Sequence, residues 1–192
     1  MSYLHRRAFL RASSVVAVSA ASSFALPALA QVAAPAVIGT KDIDCRTLVM
    51  NNIHNGEKMK SDYWVDGAYV PDELKRLNKF LRDFRNGDVY AMDPKVFDFL
   101  HMLAESVEAP HGFEIICGYR SPETNEQLRK EYSGVAEHSL HMKGQAIDLC
   151  TPGRPLKKLH EAALALHLGG VGYYPDSDFI HVDTGRVRRW TG

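Results

Sequence analysis

The sequence predicts an α+β fold in which helices pack on a mainly antiparallel sheet. Short apolar runs with strand-like alternation occur near both ends of the domain, and amphipathic stretches with three- and four-residue spacing lie between them. The dipeptide Asn55-Gly56 between two of the short runs is the turn that a tight hairpin favours. Strands and helices in this irregular order are typical of a sheet with helices packed on it.

Turn and capping signals divide the domain into its elements. A polar cap followed by proline opens the helices at Asp93-Pro94 and Ser121-Pro122. Asn86-Gly87 ends the helix before them, and Pro110 ends the helix that begins at Asp93-Pro94. No internal repeat is present. The predicted elements are, in chain order, strands at 45–51 and 58–64, a helix from Pro71 to the Asn86-Gly87 stop, a helix from Asp93-Pro94 to Val107, a strand at 113–117, a helix from Ser121-Pro122 to about Lys130, a strand at 145–150, a helix at 155–167, and strands at 171–174 and 179–184.

The first 30 residues have the pattern of an export signal. Arg6-Arg7 begins a twin-arginine motif, and the apolar stretch from Val15 to Leu26 is short for a membrane span. Ala28-Leu29-Ala30 is the small-x-small site that a signal peptidase cuts. We therefore expect residues 1–30 to be a twin-arginine signal peptide and the protein to act in the periplasm.

The length and charge of the exported part predict a single domain that does not bind nucleic acid. Residues 31–41 are rich in Ala and Pro and predict a flexible leader, which leaves one domain at 42–192. Without the three signal arginines the chain has 20 basic and 23 acidic side chains and no Lys/Arg cluster, which argues against nucleic acid as a partner. No later stretch is long and apolar enough for a transmembrane helix. No feature of the sequence indicates an oligomeric state.

Three cysteines are an odd number for an oxidising compartment. Cys117 and Cys150 stand at the ends of predicted core strands and are the most plausible pair, with Cys45 left free. The alternative is three small buried thiols. The spacing lacks the close pairs of a cysteine-based zinc site.

The segment from Ser139 to Leu149 carries the first chemical signal. Side chains alternate faces along a strand, so Asp148 points away from the face that its apolar neighbours Ile147 and Leu149 give to the core. Gly144 permits a tight turn that brings His141 back over the start of this strand. An imidazole and a carboxylate then converge on one point.

The last strand repeats that logic. Ile180 and Val182 share one face, and His181 and Asp183 share the other. A lone strand histidine is usually a hydrogen-bonded structural residue, but two converging segments favour a metal site. Two imidazoles and one carboxylate suit Zn²⁺ with water at an open fourth position.

Several motifs together resemble a known zinc peptidase family. They are Gly118-Tyr119-Arg120-Ser121-Pro122-Glu123-Thr124-Asn125, Ser139-Leu140-His141, Gly144-Gln145-Ala146-Ile147-Asp148, Gly169-Gly170-Val171-Gly172-Tyr173-Tyr174 and His181-Val182-Asp183-Thr184-Gly185. From Cys45 to Trp190 the chain resembles the murein endopeptidase K branch of the D-Ala-D-Ala carboxypeptidase and Hedgehog superfamily.

The resemblance implies roles for individual residues. It implies that His141, Asp148 and His181 bind zinc, and that Arg120 polarises the scissile carbonyl or binds a substrate carboxylate. Arg120 follows a strand end and offers a rigid fork of donors suited to that role, although a surface ion pair is its alternative.

The general base has three candidates. Asp183 is the first choice because it shares a face with His181, although it could instead orient that imidazole. Asp178 has the spacing of the base in several relatives, three residues before the last histidine, where those relatives have glutamate or histidine. His138 is the third candidate.

The implied function is hydrolysis of peptide cross-links between peptidoglycan stem peptides. One alternative is a D,D-carboxypeptidase that removes a terminal D-Ala. The other is a non-catalytic wall-binding module with a structural zinc.

Overall fold

The computed structural model describes residues 44–109 and 111–192, so the predicted signal peptide and leader lie outside the described residues. This part of the chain forms one eight-stranded sheet and four α-helices, which confirms the predicted mixture of helices with a single sheet. The strands are β1 (Cys45–Asn52), β2 (Lys58–Val65), β3 (Ala68–Tyr69), β4 (Phe113–Cys117), β5 (Ala146–Cys150), β6 (Gly170–Tyr174), β7 (Phe179–Asp183) and β8 (Arg188–Thr191). The helices are α1 (Pro71–Phe80), α2 (Pro94–Ser106), α3 (Pro122–Glu131) and α4 (Leu156–Leu166).

The sheet has the strand order β3-β2-β1-β4-β5-β7-β6-β8. β1 runs parallel to β4 and β6 runs parallel to β8, whereas the other neighbours are antiparallel. The hairpin predicted around Asn55-Gly56 is the antiparallel β1–β2 pair. No helix in the described ranges has the length and apolar character needed to cross a bilayer.

Helices α1, α2 and α4 cover one face of the sheet. They contact β2, β1, β6 and β7, and α2 also packs on α4. The core joins alternate residues of the strands, such as Ile147 and Ile180, to helix residues such as Phe97 and Leu159, all four fully buried. The strand residues of opposite parity therefore remain available on the other face.

Tertiary contacts end α1 earlier than its periodicity predicted. The helix stops at Phe80, six residues before the predicted Asn86-Gly87 stop. Just beyond it, the buried Asp83 carboxylate accepts hydrogen bonds from the backbone N–H groups of Arg85 at 3.1 Å and Ser121 at 2.9 Å. These bonds turn the chain away from the helix axis and tie it to the start of α3. The short strands β3 and β8 were not predicted from the sequence.

Cys117 and Cys150 do not form the pair that the sequence made most plausible. All three cysteines are free thiols, as in the alternative, but only Cys117 is buried, whereas Cys150 is half-buried and Cys45 is exposed. The antiparallel β4–β5 pair places Cys117 beside Asp148 but Cys150 beside Glu114. The two thiols thus lie at opposite ends of the strand pair, where the short reach of a disulfide excludes a bond.

Candidate metal centre

One row of residues crosses five neighbouring strands on the face away from α1, α2 and α4. Cys117 of β4 pairs with Asp148 of β5, and Asp148 pairs with His181 of β7. His181 pairs with Gly172 of β6, which pairs with Trp190 of β8. Directly paired residues have Cβ atoms only about 4.5–5.5 Å apart, so register alone assembles these groups.

His141 reaches this row from a short 3-10 helix at Leu140–Lys143. Gly144 caps that helix in a left-handed conformation with φ of 64°, and an added side chain there would come within 2.5 Å of the Ala91 carbonyl oxygen. The ring Nδ1–H of His141 donates to the Gly118 carbonyl oxygen at 2.7 Å. This bond fixes the tautomer and leaves Nε2 free as a ligand atom.

Three potential ligand atoms form a compact triangle. His141 Nε2 lies 3.1 Å from His181 Nδ1 and 3.2 Å from Asp148 Oδ1, and the last two atoms are 2.8 Å apart. A tetrahedral zinc with bonds of about 2.0–2.1 Å separates its nitrogen and oxygen ligands by about 3.3 Å. The donor set and its spacing therefore fit a zinc ion with only small adjustments.

The three side chains of the triangle are buried, and the charge on each strongly affects its neighbours. Burial opposes a charge on His141, but the neighbouring Asp148 carboxylate and Cys117 outweigh it and raise the pKa of His141 to about 10. Burial would likewise raise the pKa of Asp148, but the two imidazoles hold it well below its usual range. Asp148 is thus an anion that needs a positive partner, either a ring proton or a metal ion.

Asp183 contacts the far side of the His181 ring. Its Oδ2 accepts from His181 Nε2 at 3.0 Å, and its two oxygens accept from Arg188 at 2.6 and 3.0 Å. The backbone N–H groups of Gly170 and Gly185 donate to Oδ1 at 3.1 and 2.8 Å. Burial raises the pKa of Asp183, but the hydrogen bonds from His181, Arg188 and Gly185 outweigh it and hold the pKa well below its usual range. These contacts orient His181 so that Nδ1 faces the triangle.

Of the three remaining predicted site residues, two line the cleft above the triangle and one lies outside it. Arg120 lines the cleft above the triangle, with Nη2 at 3.8 Å from Asp148 Oδ2 and Nη1 at 3.4 Å from Asn125 Oδ1. Its buried Nε has no hydrogen-bond partner among the described residues. His138 is exposed and also lines the cleft. Asp178 is exposed, with φ of 53°, and is not among the residues lining the cleft.

The cleft has a volume of about 820 Å³ and an aromatic wall on the β8 side. Trp190 Nε1 donates to the Tyr174 hydroxyl at 2.8 Å, and the Trp190 ring lies 5.2 Å from that of His181. A side chain at Gly172 would come within 2.6 Å of the indole, so glycine makes room for this wall.

Sequence reasoning did not assign Cys117, Arg188 or Trp190 to the site. Cys117 Sγ forms a second, looser donor set with His141 and Asp148, within 4.8 Å of one another. We take the tighter triangle with His181 as the main site, because its separations match those of zinc ligands. Arg188 and Trp190 belong to β8, whose parallel pairing with β6 has no local signal in the sequence.

Comparison with known proteins gave one family and several relatives. Residues 40–190 match the family model described as peptidoglycan L,D-endopeptidase MepK. The chain is 43% identical over 145 residues to the peptidoglycan L,D-endopeptidase MepK of Escherichia coli (strain K12). The aligned region covers 76% of this chain and 80% of that protein. It is also 43% identical over 148 residues to the probable peptidoglycan L,D-endopeptidase MepK of Haemophilus influenzae, covering 77% and 80% of the two chains. No solved structure matches significantly.

Proposed function

Because this chain belongs to the peptidoglycan L,D-endopeptidase MepK family, we propose that it is a zinc-dependent endopeptidase that hydrolyses peptide cross-links in peptidoglycan. Its substrates are the cross-linked stem peptides of the wall, and its ligands to zinc are His141, Asp148 and His181. The observation that carries the metal assignment is the triangle of ligand atoms at 2.8–3.2 Å.

The surrounding residues support catalysis rather than a purely structural ion. When bound, zinc supplies Lewis acidity that lowers the pKa of water and polarises a carbonyl. Arg120 is held at the edge of the triangle by long contacts and retains an unpartnered Nε–H. A guanidinium in that position can donate to a substrate carbonyl or carboxylate oxygen facing the cleft.

We assign Asp183 an orienting role. Among the described residues, its side chain forms hydrogen bonds with His181, Arg188 and two backbone N–H groups, and it is completely buried. A carboxylate engaged on every side, behind the ring that it orients, is poorly placed to take a proton from the cleft.

His138 is the favoured proton acceptor, because it lines the cleft whereas Asp178 lies outside it. Comparing His138→Gln with Asp178→Asn tests this choice. We expect His138→Gln to lower kcat by about 10²-fold or more with bound zinc unchanged, and Asp178→Asn to leave kcat near that of the wild type. The opposite result, a large loss of kcat only in Asp178→Asn, would reassign the base to the turn before β7.

Digestion of purified cross-linked muropeptides tests the activity itself. The zinc-loaded protein should convert dimers to monomers, identified by mass, and His141→Ala should not. Loss of a single alanine from uncross-linked stems would identify a D,D-carboxypeptidase. Unchanged muropeptides with stoichiometric zinc would identify a non-catalytic wall-binding module.

The N-terminal region completes the proposal. Residues 1–30 are a twin-arginine signal peptide, residues 31–41 a leader and residues 42–192 the peptidase domain, which acts in the periplasm. Changing Arg6-Arg7 to Lys-Lys should keep the protein in the cytoplasm, and unimpaired export of that variant would contradict the twin-arginine route.

A further inference from the structure

Asn125 is a buried amide that contacts the Arg120 guanidinium. It lies in the first turn of α3, where its backbone N–H donates to the Ser121 carbonyl oxygen at 2.9 Å, and the residue is only 2% exposed. Buried amide groups are hydrogen-bonded, because an unpaired donor or acceptor away from water is costly. The partners of this side chain therefore indicate its role.

The two ends of the Asn125 amide bond to different parts of the site. Oδ1 accepts from Arg120 Nη1 at 3.4 Å, and Nδ2 donates to the Ala136 carbonyl oxygen at 3.0 Å. A guanidinium can only donate and a carbonyl oxygen can only accept, so these partners allow one orientation of the amide. Ala136 belongs to the loop at 133–139, which lines the cleft and leads to the 3-10 helix of His141. The bond to this loop keeps Oδ1 directed at Arg120.

The other contacts of the Arg120 guanidinium are longer. Nη2 lies 3.6 Å from Cys117 Sγ and 3.8 Å from Asp148 Oδ2, and the buried Nε has no partner among the described residues. Sulfur is a weak acceptor, and Asp148 is a proposed ligand of the metal. Within the part of the chain that the structure describes, Asn125 Oδ1 is thus the closest side-chain acceptor of this guanidinium.

The start of α3 holds Arg120 and Asn125 in a fixed relation. Ser121 Oγ accepts from the backbone N–H of Thr124 at 3.1 Å, and the Ser121 N–H donates to the buried Asp83 carboxylate at 2.9 Å. Arg120 directly precedes this cap, and Asn125 follows it by four residues. A functional group supported from a capped helix is placed more precisely than one on a free loop.

We propose that Asn125 is a positioning residue, which holds the Arg120 guanidinium above the metal triangle so that its free N–H groups face the substrate. The inference rests on the proposed function, in which Arg120 donates to a substrate oxygen. Without the amide, the guanidinium can leave this position. A displacement of about 1 Å in a positioned group can lower a rate by about 10²-fold.

A double-mutant cycle tests whether Asn125 acts through Arg120. In turnover of cross-linked muropeptides by the zinc-loaded protein, Asn125→Ala should lower kcat/KM by about 10²-fold. Arg120→Ala should lower it by about 10²–10³-fold. The double variant should stay within about threefold of Arg120→Ala, because the group through which Asn125 acts is already missing. Losses that multiply would show independent contributions and overturn the inference.

Asn125→Asp separates the two bonds of the amide. It keeps an acceptor oxygen for Arg120 but loses the donor to Ala136. We therefore expect its kcat/KM to remain within about tenfold of the wild type, well above that of Asn125→Ala. A value as low as that of Asn125→Ala would show that the bond to the loop is the one that matters, and would also overturn the inference.

Folding and zinc content need a check in each variant. Ala136 is exposed, so its carbonyl oxygen can bond to water when the amide is removed. Asn125→Leu keeps the side-chain volume without polar atoms and should match Asn125→Ala, so it keeps the cycle available if alanine destabilises the fold. Gln127→Ala is the matched control on α3, because Gln127 is exposed and bonds to the exposed Glu131 at 3.4 Å. Its turnover and zinc content should equal those of the wild type.

Failure of the proposed function has a different signature. A wild-type protein with stoichiometric zinc that leaves cross-linked muropeptides unchanged overturns the proposed function and, with it, this inference. An active wild type with multiplying losses, or with Asn125→Asp as slow as Asn125→Ala, overturns only the role of Asn125.

Discussion

Two carboxylates of this protein, Asp98 and Asp148, each gather three polar groups, but their partners differ in kind. Asp98 of α2 accepts from Arg46 at 2.7 Å, Tyr63 at 3.0 Å and Tyr69 at 2.6 Å. A guanidinium and two phenols keep their protons at any physiological pH, so this Asp98 cluster is complete as it stands.

Asp148 also has a guanidinium nearby, with Arg120 Nη2 at 3.8 Å from Oδ2, but its two nearest partners are exchangeable. Its Oδ1 faces ring nitrogens of His141 and His181, each of which can carry a proton, a lone pair or a metal. The comparison distinguishes two uses of a partly or fully buried carboxylate. Permanent donors make a structural cluster, whereas titratable nitrogens that converge on one oxygen leave room for a cation.

Removing an imidazole should have the largest effect. His141→Ala should abolish stoichiometric zinc and lower kcat/KM by at least about 10³-fold, the loss typical of a major electrostatic group. Metal analysis and muropeptide turnover measure both effects. His101→Ala is the control, because His101 lies on α2 and pairs with Glu105. An active, zinc-free His141→Ala protein would refute the assignment.

Altering the orienting carboxylate should have an intermediate effect. Asp183→Asn loses the charge that accepts from His181 and Arg188, so zinc affinity should fall by about 10–100-fold. Competition with a chelator measures the affinity. If activity instead fell by several orders of magnitude with zinc affinity unchanged, Asp183 would be the base.

A substitution in the Asp98 cluster should change the stability of the protein but not its zinc content or activity. Asp98→Asn removes a half-exposed ion pair with Arg46 and weakens two phenol hydrogen bonds, which should lower the free energy of unfolding by about 1–2 kcal/mol. Urea denaturation measures this change. Zinc content and turnover of the folded variant should match the wild type, and a change in either would erase the distinction between the clusters.

The smallest expected effect is a decrease in the free energy of unfolding at alkaline pH. Burial and the hydrogen bond to Asp98 raise the pKa of Tyr69 to about 12, from about 10 in an unfolded chain. Between these values the unfolded state binds fewer protons at this residue, so the contribution of Tyr69 to stability falls as pH rises. Urea unfolding at pH 9, 10 and 11 should show a smaller decline in Tyr69→Phe than in the wild type. Identical declines would exclude this linkage.

Local alternation accounts for what could be predicted about the site. The side chains of Asp148, His181 and Asp183 point to one face of the sheet because side chains alternate along a strand. The structure places all three on the face away from the core. His141 approaches because Gly144 permits a left-handed cap, a requirement that is also visible locally.

Non-local pairing accounts for what could not be predicted. The direction of Cys117 depends on a bulge in the β4–β5 register, and Arg188 reaches Asp183 through a strand added parallel to β6. The early end of α1 follows from the contact between Asp83 and Ser121, 38 residues apart. In each case the determining partner is distant in sequence, so periodicity in one window contains no signal for it.

The candidate metal centre can form only after the strands have paired in the correct register. Its row of residues takes one member from each of five strands: Cys117, Asp148, His181, Gly172 and Trp190. A slip of one residue between two of these strands would turn one member towards the core and separate the donors. A partly assembled chain would then have no place to capture an ion. The time course of metal uptake during refolding should coincide with the last strand-pairing event rather than with the first collapse.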